Sequence, residues 1–201
     1  MENNKKVLLI NTHLTYTGWT EGTLNNSFIQ KAKDFFETKG FEVLETKIED
    51  GYNADEEVEK HFEADIVILQ TPVNWFGAPW IYKKYVDEVF NSGFASKKLL
   101  LGDGRTREDT TKQYGSGGLM QGKRFMICAT WNAPAESFDN PANKTFEGKG
   151  VTDIYLPITS NYRFSGYDIV DSYNCFDIFR SSDIAKDLEK YPVHLAEVLG
   201  I

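Results

Sequence analysis

Ala64-Asp65-Ile66-Val67-Ile68-Leu69-Gln70-Thr71-Pro72-Val73-Asn74-Trp75-Phe76-Gly77-Ala78-Pro79-Trp80 is the stretch that decides the fold. It opens with a short, almost unbroken apolar run, the pattern of a strand buried on both faces of a parallel sheet. Thr71-Pro72 ends that strand. Pro79 then opens a helix whose Ile81, Tyr82, Tyr85, Val86, Val89 and Phe90 mark one apolar face, with Trp80 read as core. Toward the N-terminus, Val7-Leu8-Leu9-Ile10 repeats the strand pattern, and a polar, glycine-containing segment, 11–25, follows it. Leu24, Phe28, Ile29, Ala32, Phe35 and Phe36 recur at helical spacing until Gly40 stops the helix. Residues 41–48 alternate apolar and polar as an edge strand does, and 58–63 read as a second helix. Toward the C-terminus, a glycine-rich stretch, 102–122, leads into a fourth strand over 124–129, and a fifth falls near 166–176. Residues 182–199 read as a final helix capped by Ser182 or Asp183.

Strands alternating with helices imply a parallel sheet with right-handed crossovers and helices on both faces. A single domain over residues 1–201 is the expectation at this length. In such sheets ligands bind beyond the carboxyl ends of the strands, where the strand order reverses. That rule selects three segments: 11–25, 71–77 and 130–134.

Composition removes several chemistries. With 30 acidic and 22 basic side chains the net charge is −8, which argues against duplex nucleic acid as a partner. Cys128 and Cys175 form no CxxC pair and sit among apolar residues, so they read as buried thiols. The start lacks the apolar core of a signal peptide and no stretch is long enough to span a bilayer, so the chain reads as cytoplasmic. His13, His61 and His194 come with neither a GxSxG elbow nor HExxH spacing. His13 reads as a loop hydrogen-bonder, and Glu56, Glu57 and Glu59 as a solvated helix face. Asp103, Arg105, Arg107 and Asp109 read as surface ion pairing, with Arg105 or Arg107 as alternative partners for a ligand phosphate. No catalytic side chain and no metal ligand is assigned.

The first loop offers Thr12, Thr15, Thr17, Thr20 and Thr23 with Gly18, Gly22 and Asn25, and enters a helix whose unpaired N–H groups suit phosphate. Thr20 or Thr23 acting as a simple helix cap is the competing reading. The second loop sets Trp75 and Phe76 between prolines, where they would wall a flat ligand; taken alone, it reads first as a hydrophobic plug or an oligomer surface. Thr130-Trp131-Asn132-Ala133-Pro134 forms the third. Together the three loops supply hydroxyls, amides and rings, which match the phosphate, planar ring and hydrogen-bonding edge of a flavin nucleotide.

At these loops the chain closely resembles the modulator of drug activity B family, FAD-dependent NAD(P)H:quinone reductases with a flavodoxin-like fold. The likeness is carried by 71–80, by Lys83-Lys84-Tyr85-Val86-Asp87, by Asp103-Gly104-Arg105-Thr106-Arg107, and by Tyr114-Gly115-Ser116-Gly117-Gly118-Leu119-Met120-Gln121-Gly122-Lys123. Thr130-Trp131-Asn132-Ala133-Pro134 completes it. It runs from Val7 to about Leu156 and weakens after Pro157. It implies an α/β, doubly wound five-stranded parallel sheet of order 2-1-3-4-5, and FAD in an elongated site. Thr20, Gly22, Thr23, Leu24, Asn25 and Ser27 would hold the pyrophosphate and nearby groups. Pro72, Val73, Asn74, Trp75, Phe76, Thr130, Trp131, Asn132 and Ala133 would line the isoalloxazine, with Trp131 helping to shape a slot one ring thick and Tyr114 approaching from another side. The chain departs from the family at Trp19-Thr20, where His-Ser is common, in a loop one residue longer, and at Asn74, where an aromatic is common.

The activity implied is hydride transfer from NAD(P)H to the flavin and then to a quinone, with ping-pong kinetics, in a homodimer. An FMN-dependent nitro- or azoreductase and a flavodoxin-type electron carrier are the alternatives. A regulatory subunit of a potassium-efflux system is a third.

Overall fold

A computed structural model describes residues 5–181 and 183–201. The element order is β1 (Lys6–Asn11), α1 (Thr23–Thr38), β2 (Glu42–Lys47), α2 (Ala54–Glu63), β3 (Ile66–Pro72), α3 (Trp80–Ala95), β4 (Arg124–Thr130), α4 (Val151–Ser165), β5 (Asp168–Ile169), β6 (Tyr173–Cys175) and α5 (Ile184–Leu199). All the ladders are parallel, in the order β2-β1-β3-β4-β5, and β6 also pairs with β4. The expected fifth strand is thus a broken one. Asp168 pairs with Arg124, Tyr173 pairs with Cys128, and the chain leaves the ladder between the two pieces.

The apolar runs explain this sheet. Val7–Ile10 and Ile66–Leu69 are buried without alternation because helices cover both faces. On one face Val7, Leu9, Ile66, Ile68, Met126 and Cys128 pack with Phe28, Ala32 and Phe36 of α1 and with Tyr191, Leu195 and Leu199 of α5. On the other, Leu8, Ile10, Val67, Leu69, Phe125 and Ile127 meet α2, α3 and α4. Both thiols are free and buried.

Several local expectations need correcting. Helix α4 was not anticipated. Pro157 sits inside it, although Tyr155, Ile158 and Tyr162 line its buried face. Helix α2 begins earlier than expected because the Asn53 side chain accepts from the N–H groups of Asp55 (3.0 Å) and Glu56 (3.2 Å). Glu57 is buried rather than solvated. Its carboxylate accepts from Thr46 (2.8 Å), Tyr85 (2.8 Å) and Lys60 (2.7 Å). Trp80 is exposed at the start of α3, not core. At the last helix Asp183 occupies the N-cap position but pairs with Lys186 instead of capping, and Ser182 lies outside the described residues. No helix among the described residues is long and apolar enough to cross a membrane.

Candidate functional site

The carboxyl ends of β1 and β3 are joined to each other and to the start of α1 by a polar layer. The Thr12 N–H donates to Gln70 O (3.0 Å) and the Thr12 hydroxyl to Thr71 Oγ1 (2.7 Å). Asn11 Nδ2 donates to Asn26 Oδ1 (2.9 Å), and Gln70 Nε2 to Asn25 Oδ1 (2.8 Å). The start of α1 is therefore tied to the sheet from two strands. This fixes where its N–H groups point.

Thr20 does not cap that helix. Its hydroxyl is 3.0 Å from His13 Nε2, and the N-cap is Gly22, which has φ 77° and no side chain to accept a bond. A Cβ at Gly22 would lie 2.6 Å from His13 Nδ1. Glycine is required there twice over, by the left-handed backbone and by the imidazole packed against it. Burial lowers the pKa of His13 below the usual histidine value, which favours the uncharged ring. Asn26 N–H bonds Gly22 O (2.9 Å), whereas the N–H groups of Thr23, Leu24 and Asn25 meet no acceptor among the described residues. Three aligned donors at the positive end of a helix suit a negatively charged group. Thr23 is exposed at its rim, Leu24 is half-buried, and Ser27 one turn on donates to Thr23 O (2.9 Å).

The second loop is a hairpin turn. Val73 N–H is held by Thr130 O (2.9 Å), and Asn74 and Gly77 exchange bonds of 2.8 and 3.2 Å. Trp75 and Phe76 fill the two turn positions with φ 49° and 67°. This is a type I′ turn, normally built from Asn and Gly; two aromatics there are strained, and such strain concentrates at functional sites. The turn leaves Trp75 92% exposed and sets Phe76 edge-on to Phe146 at 5.8 Å. Pro72 and Asn74 are half-buried beneath it.

The third loop behaves otherwise. Trp131 is only 2% exposed. Its indole N–H donates to Tyr155 Oη and Asn174 Oδ1 (both 2.9 Å), and its ring packs on Phe138 and Phe176. The slot wall expected from Trp131 is instead a core ring, because the later α4 and β6 supply partners for it. The next two residues leave their backbone amides open. The N–H groups of Asn132 and Ala133 meet no acceptor among the described residues, and Asn132 is exposed. Thr130 Oγ1 and Gln70 Oε1 are buried without a partner among the described residues, on the sheet face that carries α1.

Tyr114 is not brought to this cluster. It is 69% exposed, with its ring 5.1 Å from Phe164 and the Arg105 guanidinium 5.3 Å above it. Together with Phe90, Leu100 and Phe164 it borders a cavity of about 520 Å³ between α3 and α4. There α3 has run several turns back from the end of β3, and Met120 N–H bonds Ser165 O at the last turn of α4. This is the amino-terminal side of the sheet. Arg105 pairs with Asp103 at 2.6 Å, as expected of a surface ion pair.

One segment beside the site was not foreseen. Residues 176–181 are strapped over the third loop by Ile178 N–H to Trp131 O (3.0 Å) and Asp177 N–H to Ala133 O (3.1 Å), leaving Phe179 exposed at the rim. Topology carried the only signal. A chain leaving a fifth parallel strand must emerge at the same carboxyl edge.

Comparison with known proteins gives four findings. Residues 5–198 match the family described as having a flavodoxin-like fold. Over 183 residues the chain is 39% identical to the NADPH:quinone oxidoreductase MdaB of Haemophilus influenzae, covering 91% of this chain and 94% of that one. Among solved structures, an NAD(P)H:quinone oxidoreductase of Methanothermobacter marburgensis aligns with a TM-score of 0.68 at 12% identity over 98% of both chains. General stress protein 14 of Treponema denticola, in complex with FMN, gives 0.65 at 15% identity over 96% of this chain and 99% of that one.

Proposed function

We propose that this chain, which belongs to the flavodoxin-like family and to its modulator of drug activity B group, is a flavin-dependent NAD(P)H dehydrogenase acting on quinones. One observation carries the reading. The carboxyl edge of the sheet carries five backbone N–H groups that meet no acceptor among the described residues, those of Thr23, Leu24, Asn25, Asn132 and Ala133, together with an outward-facing aromatic turn. These residues fit a flavin nucleotide. Thr23 to Asn25 suit its phosphates, Asn132 and Ala133 suit an electron-rich ring edge, and Trp75 and Phe76 suit a ring face. FAD is the flavin we assign, with Thr20, Gly22 and Ser27 shaping the phosphate end and Pro72, Val73, Asn74 and Thr130 the ring end.

When bound, the flavin would supply the two-electron chemistry, accepting hydride from NAD(P)H and returning it to a quinone. The chain's own part is binding, orientation and exclusion of water. No side chain at the site is required as an acid or base. A single slot under the turn 74–77 would admit one ring at a time, so NAD(P)H and quinone would alternate. Parallel double-reciprocal lines are expected, and intersecting lines would reject the shared slot.

We further assign a cytoplasmic homodimer. Trp80, Phe94, Leu101, Tyr114, Leu119 and Leu156 are exposed apolar side chains, and their burial would favour association of two copies. A stable, fully active monomer in sedimentation would reject that. The function itself is tested by purification without added cofactor. A yellow protein, bleached by NAD(P)H and recoloured by menadione, is expected, and a colourless chain that no flavin restores would reject the reading.

A further inference from the structure

The first loop contains a small structure that the phosphate site does not require. Tyr16 and Thr20 exchange backbone bonds of 3.1 and 2.9 Å, and Trp19 N–H bonds Tyr16 O (2.8 Å). Gly18, at φ 74°, donates its N–H to Glu21 Oε1 (3.1 Å). The base of this turn is clamped to the end of β2. Thr15 donates through its N–H (2.7 Å) and its hydroxyl (3.0 Å) to the Glu49 carboxylate. At the tip Trp19 stands 79% exposed, with the Tyr16 ring 6.0 Å away and tilted. A fixed loop thus holds an indole face in solvent.

Its place in the fold says what that face meets. Across the carboxyl edge of the sheet, the aromatic turn and the Asn132-Ala133 amides follow β3 and β4. The free N–H groups of α1 follow β1, and the Tyr16–Thr20 turn, anchored through Glu49, stands at the β2 side. Between the ring end and the helix start, Gln70 Oε1 and Thr130 Oγ1 are buried on the α1 face, without a partner among the described residues. Read in that direction, the order is planar ring, polar linker, phosphate, planar ring. This is the order of parts in a flavin dinucleotide, whereas a mononucleotide ends at the phosphate above β1.

Resting on the flavin reading above, we propose that Trp19 is the platform on which the adenine base of FAD stacks, and that it sets the preference for FAD over FMN. Stacking a base on an aromatic side chain changes affinity by roughly five- to 150-fold. FMN has no base to lose.

The test is flavin binding rather than turnover. The full chain, stripped of flavin, is titrated separately with FAD and with FMN by flavin fluorescence, as wild type, Trp19→Ala and Trp19→Phe. Trp19→Ala is expected to weaken FAD about tenfold or more and leave FMN within twofold, while Trp19→Phe keeps most of the FAD affinity. Unchanged FAD binding in Trp19→Ala, or equal loss of both flavins, overturns the assignment while leaving the reductase reading intact. Wild type that takes up neither flavin overturns both. Because Trp19 is exposed and its turn is held by backbone bonds, thermal stability equal to wild type is expected in both variants.

Discussion

Trp75 and Trp131 both lie just past strands that end at the carboxyl edge of the sheet, yet one indole is almost wholly exposed and the other almost wholly buried. Trp131 has partners for everything it carries. Its N–H meets Tyr155 and Asn174, its ring meets Phe138 and Phe176, and its backbone meets Cys175 and Ile178. Trp75 has none of these, and its backbone is held in a left-handed conformation that an aromatic residue rarely adopts. A ring whose polar atom is satisfied inside the protein is architecture. A ring displayed on a strained, hydrogen-bonded turn is surface the fold retains at a cost, and a ligand is the natural reason.

The largest break in that comparison comes from truncating the buried ring. Trp131→Ala should cost about 3–5 kcal/mol, from lost apolar contact and a cavity against Phe138, and lower the Tm by on the order of 10 °C. Trp131→Phe should cost less, about 1–3 kcal/mol, because it keeps most of the ring and removes only the N–H that Tyr155 and Asn174 accept, while the Tyr155 hydroxyl still donates to Asn174. Thermal or urea unfolding checks both. A Trp131→Ala protein of wild-type stability that merely bound flavin poorly would return Trp131 to the slot.

His61 sharpens the same contrast. It is buried, with Nδ1 3.1 Å from Tyr167 Oη and Nε2 3.1 Å from Tyr85 Oη, and burial lowers its pKa to about 3. An unfolded histidine titrates near 6.5, so below that pH the unfolded chain gains a proton that the folded chain refuses. Its effect on stability is therefore absent above 6.5 and grows as a loss of about 1.4 kcal/mol per pH unit down to about 3. Between pH 6.5 and 5 the wild type should lose about 2 kcal/mol more than His61→Phe does. Urea midpoints at the two pH values measure it, and identical acid slopes would mean that His61 is protonated or reachable by water.

How much of this was legible depended on the reach of each interaction. The strands at 7–10 and 66–69 declare themselves locally, since burial on both faces leaves no alternation to misread. Helix α4 did not declare itself, because Pro157 interrupts its pattern. The fifth strand failed similarly, its two pieces having only two and three residues. At the site, the three loops were found from the order of the strands. Yet the burial of Trp131 depends on Tyr155 and Asn174, 24 and 43 positions away, and that of Glu57 on Thr46 and Tyr85. The position of Tyr114 depends on where α4 ends. The turn at Trp75-Phe76 was hidden for another reason: residue preferences reserve that geometry for Asn and Gly.

Gly22 offers a smaller test, at the phosphate end. Gly22→Ala places a methyl 2.6 Å from the His13 ring at φ 77°, so either the ring or the helix start must shift. About 1–2 kcal/mol of stability should be lost, and flavin affinity should fall roughly tenfold as the three N–H groups lose their alignment. Gly40→Ala, past the far end of α1, is the control. Its φ is also positive, but a Cβ there meets nothing, so flavin binding should change far less. Equal losses from the two would mean that backbone strain matters and alignment does not.

The smallest expected effect is the most direct on Trp75. Asparagine tolerates the left-handed region far better than an indole does, so Trp75→Asn should relieve strain and raise stability by about 0.5–1 kcal/mol, a Tm gain of roughly 1–4 °C. The same change removes the ring proposed to face the slot. Aromatic pairs contribute about 0.5–1.5 kcal/mol beyond their buried area, so kcat/KM for a quinone should fall roughly two- to twelvefold. Stability and activity would then move in opposite directions at one residue, as they must if the turn is strained for the sake of what it binds. A lower Tm with unchanged quinone turnover would mean that Trp75 packs on the protein in solution, and its contrast with Trp131 would collapse.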